Sequence, residues 1–355
     1  MFLTPKTVIF ALVVILAIPI LVAIGSSEKE PQHTIRSVTF ESRREPPRSD
    51  IERIAGLGAS HVTLIPFGFQ QTPDTPGVRF NPQARWYTES DAGLETVSKW
   101  AVESGMKVII KPHIWVGRYN GEGQWRDKIT FNTDEDWAAW ESAYSTFIQH
   151  YAALSERVGA DIFVVGTELA SIARERPEFW RRTIATVRTM YSGKLTYAAN
   201  WWEEYEHVTF WDDLDFIGVQ AYFPIYEGDE TPDLAQLSAG WDRHATVLEQ
   251  LSNEFDRPVL FTEIGYRSVS YAPARPWVWA SRRNDAIESP DYDVQSDLYA
   301  ALFETIWTQP WFAGAILWKW HASSERRSNE TDFTPQNKPA EDLIRDNFLR
   351  LADEE

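Results

Sequence analysis

A chain of 355 residues is long enough for one large α/β barrel, and its ordinary hydrophobic content of 43% without low-complexity tracts marks a globular fold. A formal net charge of −18 excludes a basic face for phosphates, so no nucleic acid partner is expected; an acidic surface suits a neutral or cationic ligand. With no Cys, disulfides, thiolate chemistry and an N-terminal lipoprotein anchor are all excluded.

In chain order, the first element is "TVIFALVVILAIPILVAIG", Thr7 to Gly25, free of charge and flanked by Lys6 and Glu28. About 20 apolar residues can span a bilayer, whereas the apolar core of a signal peptide is usually ~7–15. Residues 1–25 are therefore expected to be a signal-anchor, or a signal peptide cleaved after Ala23-x-Gly25, with Lys6 inside. Either way the rest of the chain is exported: membrane-anchored and facing outside, or secreted or periplasmic. A polar linker follows over residues 26–34, and residues 35–352 form one domain.

Within that domain, short apolar runs alternate with amphipathic stretches. Strands are expected at 34–40, 61–67, 107–115, 161–167, 194–200, 215–223, 258–263 and 314–320. Helices are expected near 48–57, 90–104, 134–157, 177–191, 233–254, 293–309 and 340–351, and only the segment near 202–213 is cramped. Thr133 with Asp136 makes a capping-box-like helix start, and Pro177 suits a first helical turn. Continuously hydrophobic, β-branched strands alternating with helices indicate parallel βαβ units. Eight of them without a glycine-rich phosphate loop favour a closed (β/α)8 TIM barrel over an open sheet.

The loops leaving the second, third and seventh strands are long and rich in Trp, Tyr, Pro and Gly, whereas those entering strands are mostly short ("LGAS", "SGM", "VGA"). Barrel active sites form where strands end, so these loops suggest cleft walls. Many of the 17 Trp pack the core, but Trp and Tyr also offer flat apolar faces with a polar edge. Two strands end on a carboxylate: "DIFVVGTELAS" places Glu168 past the fourth, and "PVLFTEIGYRS" places Glu263 at the end of the seventh. Two carboxylates across an aromatic cleft are the equipment of glycoside hydrolysis, one protonating the leaving oxygen and the other attacking the anomeric carbon or activating water. Taken singly, either Glu could instead cap a helix or pair with Arg174 or Arg267. Lys111 and Lys319 are expected to be paired in or near the barrel rather than catalytic. Seven scattered His without HExxH-like spacing suggest no metal site, and no GxSxG elbow signals a serine nucleophile. "NET" at 329–331 matches a glycosylation acceptor.

Glutamates ending strands four and seven resemble clan A of the glycoside hydrolases. The stretches "IKPHIW", "FNTDEDWAAWE", "VVGTELA", "LTYAANW", "FWDDLDFIGVQAYFP", "LFTEIGYRS", "WFAGAILWKWH" and "FTPQNKPAEDLI", in order over residues 35 to 350, resemble family 113, which contains β-mannanases. The resemblance implies a retaining hydrolase of β-linked mannan or manno-oligosaccharides that needs no cofactor, with Glu168 as acid/base and Glu263 as nucleophile. It also implies that Tyr222 hydrogen-bonds the nucleophile and that Trp318 is the platform beneath the reacting sugar. Beyond the resemblance, His113, Trp115, Asn200 and Trp201 end strands three and five, where they could bind hydroxyls or stack on sugar faces. One position departs from the clan: Thr167 stands where many members keep an Asn that contacts the sugar 2-hydroxyl. Either the family reads that hydroxyl differently or a neighbour such as Asn200 substitutes. The same chemistry on a β-glucan or cell-envelope glycan, or a non-catalytic barrel binding a glycan or partner, are the alternatives.

Overall fold

A computed structural model describes residues 35–117, 125–228, 230–279, 289–323 and 330–354. The apolar segment 1–25, the linker 26–34 and Asn329 lie outside them. Among the described residues no helix is long and apolar enough to cross a membrane.

Eight parallel strands close a barrel: β1 (Ile35–Glu41), β2 (His61–Leu64), β5 (Lys107–Ile110), β7 (Ile162–Thr167), β8 (Lys194–Asn200), β9 (Phe216–Gln220), β10 (Val259–Ile264) and β11 (Phe312–His321). Their order around the barrel follows the chain, β11 pairing back on β1. Around them lie α1 (Ser49–Ala55), α2 (Asp91–Glu103), α3 (Asp134–Val158), α4 (Ala170–Glu175), α5 (Pro177–Arg188), α6 (Leu234–Phe255), α7 (Tyr292–Thr305) and α8 (Pro339–Asp353). The fold is a (β/α)8 barrel. Alternation along each strand sorts the side chains: in β7, Ile162 and Val164 face the barrel interior with Ile35, Ile109, Leu260 and Ile316, while Phe163 and Val165 pack under the helices.

Local chemistry accounts for most boundaries. The Thr133 hydroxyl accepts Asp136 N at 3.1 Å and so caps α3, which ends at Gly159 in the left-handed conformation (φ 65°). The cramped segment after β8 forms two 3-10 turns, Tyr205–His207 and Trp211–Asp213, and the short α4 was not foreseen.

The second and third expected strands are each two strands. At Pro66 and Pro112 the missing N–H breaks the barrel ladder. The chain then continues as β3 (Phe67–Gln70) and β6 (His113–Val116), which pair with each other in a separate small sheet at the strand ends, β3 also pairing with β4 (Arg79–Phe80). His113 and Trp115 therefore belong to this sheet, not to the barrel wall.

Gly166 in β7 is required by close approach: a Cβ there would lie 2.4 Å from the Trp180 ring and 2.7 Å from that of Tyr197. Both rings are fully buried, so neither can retreat. Gly166→Ala is expected to destabilise the fold by about 1–3 kcal/mol through overpacking, read as a lowered Tm. Because Glu168 lies two residues on, activity should fall further than stability explains.

Candidate active site

The interior turns polar towards the ends of the strands. Lys111 follows β5, Glu168 follows β7, Asn200 and Gln220 end β8 and β9, and Glu263 is the penultimate residue of β10, its register partner in β9 being Gln220. Parallel strands put all five on one face of the barrel. Glu168 and Glu263 are 7% and 5% exposed, so their solvation has been replaced by protein donors.

Glu263 Oε2 accepts from Lys111 Nζ at 2.7 Å and from Gln220 Nε2 at 3.0 Å, and Oε1 accepts from Tyr222 Oη at 2.6 Å. Lys111 is wholly buried and also donates to the Thr262 carbonyl (2.8 Å) and Gln220 Oε1 (3.3 Å). Burial pulls its ammonium down from the usual lysine range, and the Glu263 charge opposes this. Removing either partner would strand a buried charge.

Glu168 Oε2 is held from the other side by Trp125 Nε1 (2.8 Å) and the Arg126 guanidinium (Nε 3.0 Å, Nη2 2.8 Å). Arg126 stacks over the Trp125 ring at 4.2 Å and donates to the Ile114 carbonyl, so the fork is fixed before it meets the carboxylate. Glu168 Oε1 receives Gln220 Nε2 at 3.3 Å. One amide nitrogen thus donates to both carboxylates. Its orientation is set by Lys111 and Thr262 Oγ1 (3.2 Å), which both donate to Gln220 Oε1. The environments of the two acids differ: Glu263 faces a buried ammonium, a phenol and an amide, and Glu168 an indole, a guanidinium and the same amide.

The other expected residues gather here unequally. Tyr222 bonds Glu263. Trp318 packs with Ile65, Tyr222 and Phe333 at the mouth, the Lys111 ammonium 5.8 Å from its ring centroid. Trp320 joins the strand–helix layer instead, beneath Arg53, because β11 carries an extra residue against β1: Val38 pairs with Leu317 but Phe40 with Trp320. Trp201 lies beside the Trp318 group and stacks on Trp277 (5.1 Å, 26°). Trp115 is 44% exposed, edge-on to Phe67 and Trp125, in the outer wall. His113 is buried, and burial with the Arg126 and Lys111 charges pushes it well below the usual histidine range, so its ring is neutral. Its Nε2 has no partner among the described residues.

The Thr167 hydroxyl donates to the Pro112 carbonyl at 3.2 Å, and the residue is 2% exposed. Asn200 gives Nδ2 to Glu204 at 2.9 Å. Neither Arg174 nor Arg267 holds a site carboxylate; Arg174 is exposed and Arg267 binds Thr331 and Tyr271. Lys111 is paired inside the barrel, but with Glu263 itself, and Lys319 pairs with Glu41. Ser60, His61 and Asp161 do meet, at the opposite face, where the Ser60 hydroxyl accepts Arg36 N and so serves as a structural clamp.

Sequence reading missed Gln220, Trp125, Arg126 and Glu204. Gln220 had a visible signal, a polar residue ending an apolar strand two positions before Tyr222. Trp125 and Arg126 had only their place in a long loop after a strand.

The sequence profile of Glycoside Hydrolase Family 113 matches residues 35–338. Among solved structures, the GH113 β-mannanase AaManA from Alicyclobacillus acidocaldarius in complex with ManMIm is similar at 30% identity, with a TM-score of 0.76 over 90% of this chain and 98% of that one. A GH113 β-1,4-mannanase is similar at 27% identity and TM-score 0.74, over 89% and 99% of the two chains. A family 5 mannosidase from Rhizomucor miehei in complex with mannosyl-fructose shares the fold at 12% identity and TM-score 0.60, over 93% and 97%. A search of the curated proteins finds no match. On the family match and the two relatives, the chain is a glycoside hydrolase acting on O-glycosyl bonds and belongs to family 113.

Proposed function

We propose that the chain is a retaining β-mannanase in which Glu263 is the nucleophile and Glu168 the acid/base. Glu263 attacks the anomeric carbon while Glu168 protonates the departing oxygen; Glu168 then draws a proton from water as water displaces Glu263. The observation that carries this reading is the shared Gln220 amide, bonded to an oxygen of each carboxylate at 3.3 and 3.0 Å. Those oxygens can be no farther apart than the two bonds end to end, 6.3 Å, which favours the ~5–5.5 Å spacing of retaining enzymes over the ~6.5–9.5 Å of inverting ones. Lys111 and Tyr222 supply the donors an ionised nucleophile needs. The mannan assignment rests on the two family relatives described as β-mannanases. The apolar run Thr7 to Gly25 supports an exported, membrane-anchored enzyme.

The test is to incubate the full chain with mannan, β-glucan and envelope glycans and to follow the first-formed anomer by NMR. Mannan cleavage releasing the β-anomer first is the expected result. An α-anomer first would overturn retention, and turnover of β-glucan or an envelope glycan but not mannan would overturn the substrate. Turnover of none of them would favour a binding module. For the anchor, the protein should stay with membranes through an alkaline carbonate wash; release would overturn it.

A further inference from the structure

Glu204 touches neither carboxylate, yet it is tied to the turn that carries Glu168. It is 2% exposed and takes three donors. Asn200 N (2.7 Å) and Nδ2 (2.9 Å) hold Oε2, and Tyr197 Oη donates to Oε1 at 2.5 Å. Tyr197 Oη in turn accepts the Leu169 amide at 2.8 Å. Glu168 itself has φ 53°, the left-handed region that side chains adopt only when the surroundings impose it. Two consecutive amides of this turn are anchored on β8: Glu168 N on the Ala198 carbonyl at 2.8 Å, and Leu169 N on a hydroxyl whose direction Glu204 sets. Burial pushes the Glu204 carboxyl up to about 8, against the hydrogen bonds that favour its ionised form.

Resting on the roles given to Glu168 and Glu263 above, we propose that Glu204 is a positioning residue for the acid/base, fixing through Tyr197 the left-handed turn that aims Glu168 at the leaving oxygen. Asn200 serves in this arrangement to hold Glu204 in place.

Proton donation matters in proportion to how poor the leaving group is, and contributes ~10²–10⁴-fold where it is needed. A misaimed acid should therefore impair cleavage between two sugars and spare an activated phenol. The experiment compares Glu204→Gln and Tyr197→Phe in the full chain on mannopentaose and on 2,4-dinitrophenyl β-mannobioside. For both variants kcat/KM on mannopentaose should fall at least about tenfold, a fraction of that donation, and on the aryl substrate less than about twofold. Equal losses on the two substrates, or no loss on either, would overturn the proposal. If Glu204→Gln fails to fold by circular dichroism, Tyr197→Phe, which removes one hydroxyl and keeps the ring, decides. Glu168→Ala run alongside must itself show the steep leaving-group dependence. If it does not, the acid/base assignment has failed and not the role of Glu204.

Discussion

Replacing Glu263 by Gln is expected to lower mannan turnover by at least about 10⁴-fold, the scale of loss when a covalent nucleophile is removed. The amide keeps the shape of the side chain but cannot attack the anomeric carbon. It can still accept from Lys111 and Gln220, and its NH₂ can turn to the Tyr222 oxygen, so the cleft should survive. Lys111 would lose its counter-charge while wholly buried. Breaking a buried pair costs about 3–5 kcal/mol, and because an unpaired buried Lys can release its proton, the net loss should fall at the lower end. A lowered Tm with retained binding of manno-oligosaccharides is thus the expected phenotype. The smaller variant Glu263→Ala gives a sharper readout with azide. Azide filling the emptied nucleophile position attacks from that face and yields the α-azide, whereas azide rescuing Glu168→Ala intercepts the glycosyl-enzyme and yields the β-azide. An unimpaired Glu263→Gln enzyme, or the two azides reversed, would overturn the assignment.

What the sequence made legible was whatever is local. A buried run such as "DIFVVGT" needs no partner to be recognised as a strand, and a carboxylate just past it must leave the barrel where the strands end. Glu168 and Glu263 could be placed on that argument alone. The pairing of Lys111 in or near the barrel was expected, though not that Glu263 would be its partner. Gln220 was missed because its role exists only once β8, β9 and β10 are aligned: the register that sets Gln220 opposite both Asn200 and Glu263 is a property of closure. Trp125 and Arg126 were missed for a related reason, since they reach Glu168 from a loop whose path no periodicity describes. The doubled second and third strands are a different kind of error. Pro66 and Pro112 stand at matching places in successive strands, where a central strand does not hold Pro.

Lys111→Met should lower kcat at neutral pH by roughly 10²-fold, the scale for losing one preorganised charge donor, and it should also change the shape of the pH profile. Lys111 is the only cation among the described residues bonded to Glu263, at 2.7 Å. A nucleophile must be ionised, and a neighbouring ammonium favours that form. Burial pulls the Lys111 ammonium down, opposed by the Glu263 and Glu168 charges and aided by Arg126, so the native enzyme loses this cation earlier than an exposed lysine would. The native profile should accordingly carry an alkaline limb that Lys111→Met lacks. The variant also frees Gln220 Oε1 from one of its two donors, so the bridging amide can turn its oxygen towards the carboxylates, where it repels both. Met fills the aliphatic path of the lysine stem, which separates these electrostatic effects from a cavity. A profile merely scaled down, with its alkaline limb unmoved, would mean that Lys111 acts only as packing.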